Sequence, residues 1–328
     1  FVYIAQLDTA DDLYKKENWI KANPILEYDE DALENLVPVA NTARDMGGED
    51  LRDFLVKQLN MWMQWSNALY IKDIKDWKRC AALRTLKDFR GSKCYVGVDL
   101  SSGGDLTSIA IVIPYMVDGV KKYFVHTHSF IPASRVDEHI KTDKVPYDVW
   151  ISKGLVTVTE TLGGIKTDYK YIIKYLEDLI KQNDLKPQLV CYDPHNASAF
   201  LSDLEALGFD SVAITQTAKE LNDATVDFRL EIKAGNVVIE GTEVGKGKVV
   251  PFDELLTWSI ANAKTISNSY GEIKIDKALD EDRIDPIDAI IDAWKAAMKE
   301  EYKPDTNEVV NEWLEMYEKY MGKGGEKE

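Results

Sequence analysis

Residues that build thiol and zinc sites are scarce here: three cysteines, Cys80, Cys94 and Cys191, and four histidines in 328 residues. Three scattered thiols cannot form a disulfide framework, no Cys-x-x-Cys pair occurs, and no Cys/His cluster is available for zinc. The thiols are expected to be reduced, as in a cytosol. No apolar run approaches the roughly 20 residues a spanning helix needs, and the opening FVYIAQLDTADD lacks the basic start and long apolar core of a signal peptide. A soluble, intracellular protein with no membrane partner is expected. A basic excess is missing too: 57 Asp plus Glu against 40 Lys plus Arg give a formal charge of −17. That balance argues against tight, sequence-independent nucleic-acid binding by the chain as a whole. It leaves one route to a phosphate backbone, because clustered carboxylates can hold hard divalent cations that invert the local charge.

What is present reads as a mixed α/β protein. Residues 1 to about 90 are rich in large side chains at helical spacing, as in DDALENLVPVANTARDM and EDLRDFLVKQLNMWMQW, with Trp62 and Trp65 on one face and Met46-Gly47-Gly48 breaking the two helices. FVYIAQLD reads as a short strand arriving from something upstream, and a chain starting at Phe1 reads as a fragment. From Gly91 the texture changes. SKCYVGVDLS, DLTSIAIVIPY and KKYFVHTHSFIP predict a three-stranded antiparallel meander, the last two joined at the hairpin pair Asp118-Gly119. Strands GLVTVTE, KPQLVCYDP and SVAITQT then alternate with helices over 168–182, NASAFLSDLEALGF and TAKELNDATVDFRLEIKAG, the last stopped by Gly235. A helix from Pro286 to Glu301 closes the domain, and a polar-amphipathic helix and frayed tail follow Pro304. Meander first and alternation second imply one mixed sheet with helices on both faces.

Several acids stand where a carboxylate is costly unless paired or on a metal. Asp99 ends a strand whose neighbours Val96, Val98 and Leu100 want burial; Asp105 opens the next strand and is as easily a turn residue. Asp193 closes the apolar strand LVCYDP, at the strand end where ligand groups of open sheets gather; His195 beside it reads as a loop residue. In RIDPIDAIIDAW, Asp285 before Pro286 suits an N-cap, with Asp288 and Asp292 on the same helix face. Solvent exposure explains Asp292 more easily than Asp288. His126 and His128 share a strand face with no further metal-binding partner in view. Carboxylates from far-apart positions, each at the tip of a buried element, are what a two-metal phosphoryl-transfer site needs.

The succession ENWIKANP, LNMWMQW, WKRCA, CYVGVDLSSGGDLTSIAI, CYDP and RIDPIDAIIDAW resembles the later part of the large terminase subunit of tailed bacteriophages and prophages, from about Asp8 to Ala297. The resemblance implies a ribonuclease H-like nuclease domain at 91–303, preceded at 1–90 by the end of an ATPase domain and a helical connector, and followed by a C-terminal helix and tail at 304–328. It implies a two-metal endonuclease that cuts concatemeric double-stranded DNA with Mg²⁺ or Mn²⁺ in the host cytoplasm, with the portal protein and the small terminase subunit as partners. Asp99, Asp193 and Asp285 match the catalytic acids and Asp105 an accessory metal ligand, with Asp288 competing with Asp285 for the third place. Asp99 would bridge both ions. Arg283, Lys264 and Lys277 are candidates to guide the DNA backbone.

The departures from the family matter as well. No G-x-x-x-x-G-K-[ST] occurs, and GTEVGKGK at Gly241 has the wrong spacing, so this chain is not expected to hydrolyse ATP. Two other readings use the same residues. DLSSGGDLTS loosely fits the phosphate loop of actin-like and sugar-kinase phosphotransferases, although CYDPHNAS supplies neither of their further nucleotide loops. A non-enzymatic acidic assembly module would take the acids as caps and turns.

Overall fold

The structure is a computed structural model that describes residues 3–8, 11–46, 51, 53–61, 68–101, 106–165, 168–195, 197–206, 208–277 and 283–301. The chain forms two compact units, Phe1–Lys72 and Asp73–Glu328.

In the first unit, helices α1 (Lys16–Trp19) and α2 (Glu30–Met46) and a wide turn at Phe54–Gln58 bury Leu7, Trp19, Leu26, Ala43, Phe54 and Leu59 together. Trp19 meets Phe54 edge-on at 5.6 Å, and its indole N–H donates to the Leu13 carbonyl at 2.8 Å. Of the strand expected at FVYIAQLD, only residues 3–8 are described. Residues 3–8 join no sheet; the backbone N–H of Leu7 donates to the Leu59 carbonyl while its side chain enters the core. A single apolar segment cannot make a ladder without a neighbouring strand, so burial of Leu7 decides its place. The second helical run ends at Gln58, where Asn60 takes φ 51°. Trp62, Trp65 and the Gly47-Gly48 break lie outside the described residues, as does everything after Glu301.

The second unit is built on a nine-stranded mixed sheet in the order β1-β8-β4-β3-β2-β6-β7, with β5 beside β4 and β9 beside β8. The strands are β1 (Ala81–Ala82), β2 (Lys93–Asp99), β3 (Thr107–Val117), β4 (Val120–Pro132), β5 (Val156–Thr159), β6 (Lys186–Tyr192), β7 (Ser211–Ala213), β8 (Val237–Val244) and β9 (Lys248–Pro251). A separate hairpin pairs β10 (Ala263–Ser267) with β11 (Ile273–Lys277). The expected meander is β2-β3-β4, and Asp118 and Gly119 turn the corner between β3 and β4 at φ 50° and 76°, the left-handed pair a two-residue hairpin needs. Strands β6 and β7 extend the sheet in parallel beyond β2.

Around the sheet run α3 (Ile74–Lys78), α4 (Val136–Asp143), α5 (Tyr147–Ser152), α6 (Tyr169–Asn183), α7 (Ser198–Ala206), α8 (Ala218–Ala234), α9 (Glu254–Asn262) and α10 (Asp285–Ala297). The polar stretch HIKTDK ends α4, with Lys144 as its left-handed cap. Asp168 caps α6 by accepting from the Lys170 N–H, and Gly235 ends α8 at φ 76°.

Alternation along the strands assigns the two faces. Val96, Val98, Leu100, Ile109, Ile111, Ile113, Phe124, Phe130, Val190 and Tyr192 form one apolar layer with Ile172 and Leu176 of α6 and Phe200 and Leu204 of α7. The intervening residues face α10. There Gly97 is obligatory: a Cβ on it would stand 1.8 Å from the Ala289 carbonyl oxygen, so the backbone of α10 rests directly on β2. A side chain at position 97 would push the helix off the sheet, and with it every acid that the helix carries.

Candidate active site

Asp99 lies two residues beyond Gly97 on the same strand and therefore on the same face, toward α10. On the adjacent parallel strand the register pairs Gly97 with Cys191 and Val98 with Tyr192. Asp193, the next residue after Tyr192, thus leaves its strand beside Asp99, at neighbouring-strand spacing of about 4.8 Å. Both strands end here, and α10 brings Asp285 in its first position, Asp288 one turn later and Asp292 a further turn along the same face.

Asp99, Asp193, Asp285 and Asp288 keep part of their surface exposed, whereas Asp292 is 1% exposed. Removal from water raises the Asp99 carboxyl well above the usual range, and the charges of Asp285, Asp288, Asp292 and Asp193 push it further. Burial likewise raises Asp288, helped by Asp292 and Asp285 and opposed by Lys274. Burial pushes Asp292 up to about 8, with Asp193 adding to it, while Gln216 Nε2 donates to both carboxylate oxygens at 2.9 and 3.2 Å. The five acids therefore form one electrostatic cluster. Among the described residues no three His, Cys, Asp or Glu side chains are gathered tightly enough to hold a metal ion. The acids feel one another without composing a closed ligand shell. Asp105 lies outside the described residues.

Two expectations about α10 need correcting. The helix starts at Asp285 rather than Pro286, with Ile284 in the cap position, so Asp285 is its first residue and Pro286 its second. Asp292 is not on a solvent face; with α10 lying on Gly97, that face of the helix points into the protein. A signal was available in Ala289 and Ala293, which leave this face of α10 no bulk between its backbone and the strand. Asp99 also has polar neighbours that no local pattern marks: it pairs with Ser108 and Ser108 with Ser129, and these buried hydroxyls bond each other at 2.8 Å.

The remaining candidates stand elsewhere. His195 is an exposed loop residue whose backbone N–H donates to Asp193 Oδ1 at 3.0 Å. His126 and His128 project to the opposite face of the sheet, where His128 stacks on Tyr175 of α6 with ring centroids 4.3 Å apart. Arg283 pairs with Asp143, with N···O distances of 3.1 and 3.2 Å. Lys264 and Lys277 sit on the β10–β11 hairpin, Lys277 exposed. GTEVGKGK forms the β8–β9 hairpin, with the Gly241–Pro251 pair at its base and the turn at Gly245, Lys246 and Gly247, and not a phosphate loop opening a helix.

An antiparallel meander extended by parallel strands, helices on both faces and acids at the central strand ends define a ribonuclease H-like fold. Comparison with known proteins takes this further. The chain belongs to the family described as "Terminase large subunit, endonuclease domain", whose model matches residues 1–301. It is 27% identical over 286 residues to the large terminase subunit of Enterobacteria phage HK97, which covers 87% of this chain and 51% of that protein. The crystal structure of the HK97 large terminase aligns with a TM-score of 0.58 at 25% identity, over 90% of this chain and 56% of the other. The chain thus spans about half the length of this relative. A large terminase nuclease from thermophilic phage G20c, solved with bound magnesium, aligns at a TM-score of 0.42 and 11% identity over 70% of this chain and 98% of that one, too distant to bear on individual residues. Among the described residues no helix is long and apolar enough to cross a membrane.

Proposed function

We propose that this chain is a divalent-metal-dependent endonuclease that cuts concatemeric double-stranded DNA during genome packaging, with Asp99, Asp193 and Asp285 as its catalytic acids. The observation that carries this reading is the register that leaves Asp99 and Asp193 side by side at two strand ends facing the first turn of α10. Asp99, Asp193, Asp285 and Asp288 offer oxygen donors only, the set that Mg²⁺ and Mn²⁺ prefer. Their mutual repulsion is relieved by bound cations or by protonation, and divalent ions relieve it while leaving the carboxylates ionised. Such ions supply the activation of water and the neutralisation of charge on a phosphodiester.

The residues themselves divide the work. Asp99, which feels the charges of all the others, would be shared between the ions, with Asp193 and Asp285 as the further acids that would hold them and Asp288 a turn behind. The Ser108–Ser129 pair fills the sheet beside Asp99 with hydroxyls rather than apolar bulk. Residues 1–90 would be the end of an upstream ATPase domain and its connector, 91–303 the nuclease and 304–328 a C-terminal helix and tail. The portal protein and small terminase subunit would be partners in the host cytoplasm. With a net charge of −17, the isolated chain should hold DNA weakly and with steep salt dependence.

Plasmid digestion tests the reading. Wild type should nick or linearise DNA with Mn²⁺, Asp99→Ala should not, and cleavage that persists in excess chelator would refute it.

A further inference from the structure

The charged side chains outside the acid cluster include one largely buried assembly. Asp143, the last residue of α4, has a carboxylate with no exposed surface, and its partner Arg283 is 11% exposed. Asp143 Oδ2 lies 2.9 Å from His139 Nδ1, accepts from the Tyr147 hydroxyl at 2.9 Å and from Arg283 Nε at 3.1 Å. Oδ1 accepts from Thr142 Oγ1 at 2.7 Å and from Arg283 Nη2 at 3.2 Å. Burial alone would raise this carboxyl; the donors outweigh burial and hold it well below the usual range.

Its place in the chain gives this assembly a further meaning. Arg283 stands immediately before Ile284, the cap residue of α10, and two residues before Asp285. Tyr147, which donates to Asp143, is pushed upward by burial and then by the charges of Asp143 and Asp285, so the assembly and the third acid are neighbours. A buried ion pair is seldom the most stabilising way to fill such a volume, since apolar side chains of similar size often do as well. What a guanidinium fork on a carboxylate adds is direction, because both prongs bond in one plane only. The pair thereby ties the chain just ahead of α10 to the end of α4.

We propose that Asp143, through its two-pronged pair with Arg283, is a positioning residue that fixes the entry into α10, so holding Asp285 at the acid cluster. This rests on the metal-dependent nuclease reading above. Outer-shell partners of this kind typically change metal affinity 10–100-fold.

The test is Mn²⁺ binding to the full chain by calorimetry, at a temperature where circular dichroism shows each variant folded. Asp143→Asn should bind Mn²⁺ about 10–100-fold more weakly than wild type. Arg283→Lys, which keeps the charge and loses the fork, should show a smaller loss of the same sign and serves alone if Asp143→Asn does not fold. The apolar double variant Asp143→Leu with Arg283→Met should regain thermal stability without regaining affinity. Unchanged affinity in the folded single variants would overturn the proposal, and so would affinity that returns in the double variant in step with its melting temperature. Wild type without saturable Mn²⁺ binding would sink the nuclease reading and this one together, whereas wild-type binding with unaffected variants sinks this one alone.

Discussion

The two faces of the central strands are made from alternate residues of the same few segments, yet they follow opposite rules. Toward α6 and α7, Val96, Val98, Ile109, Ile111 and Val190 close an apolar layer. The two histidines on that side are kept neutral by burial: His126 is pushed down to about 4, and His128 down to about 3 with a contribution from His126. Among the described residues His126 Nε2 is buried with no hydrogen-bond partner. Toward α10 the same strands present Gly97, Asp99 and Ser108, where burial raises carboxyls and neighbouring charges raise them further. One face is arranged for stability, and the other tolerates repulsion that a metal-free protein has no use for. Natural proteins often carry such local cost at functional sites.

Substitutions can break that comparison or sharpen it. The largest effect expected is from Asp99→Ala: Mn²⁺-dependent cleavage should fall more than about a hundredfold, since even outer-shell changes cost 10–100-fold. The metal-free protein should at the same time gain about 1 kcal/mol or more, as removal of a repelled buried carboxylate implies. A parallel loss of stability and cleavage would mean that Asp99 is a structural residue. Next comes Gly97→Ala, whose Cβ would collide with the backbone of α10. It should cost about 3 kcal/mol or more in denaturant unfolding and lower cleavage per folded molecule, because the acids of α10 move with the helix. On the opposite face, Leu176→Ala should cost about 2–5 kcal/mol and leave Mn²⁺ affinity of the folded protein unchanged.

The smallest effect is in the pH dependence, where the faces should differ in sign. His126 and His128 have lowered values in the folded state, so the unfolded chain binds more protons, and stability present above about pH 6.5 is lost as pH falls toward 4. His126→Leu should remove up to about 1.4 kcal/mol per pH unit from that slope. Asp292, raised to about 8, does the reverse in metal-free protein: the folded state holds the extra proton, and stability is lost as pH rises from about 4 through 8. Asp292→Asn should flatten that limb of a urea-unfolding series, and equal slopes in both proteins would remove Asp292 from the cluster.

Much of this architecture was legible in residue pattern. The period-two runs, the Asp118-Gly119 turn and the Gly235 stop are local signals, and the structure follows them because backbone geometry at those positions depends on immediate neighbours. Asp99 and Asp193 could be singled out for a similar reason: a carboxylate at the end of an apolar strand is anomalous within seven or eight residues. Local pattern misjudged what depends on partners. Asp292 has the pattern of a solvated residue on a helix whose buried side is set by a glycine almost two hundred residues earlier, whereas residues 3–8, expected to fray for want of partner strands, pair in no sheet. Pattern alone also missed the pairing of Arg283 with Asp143, because their separation of 140 positions carries no local trace. Sequence determined which segments become strands and helices and where unusual acids lie, since those properties follow from short-range sterics and hydrophobic periodicity. Only the tertiary structure decided which acids share one field, because Coulomb energy and desolvation depend on distances through space that strand register and the seat of α10 establish.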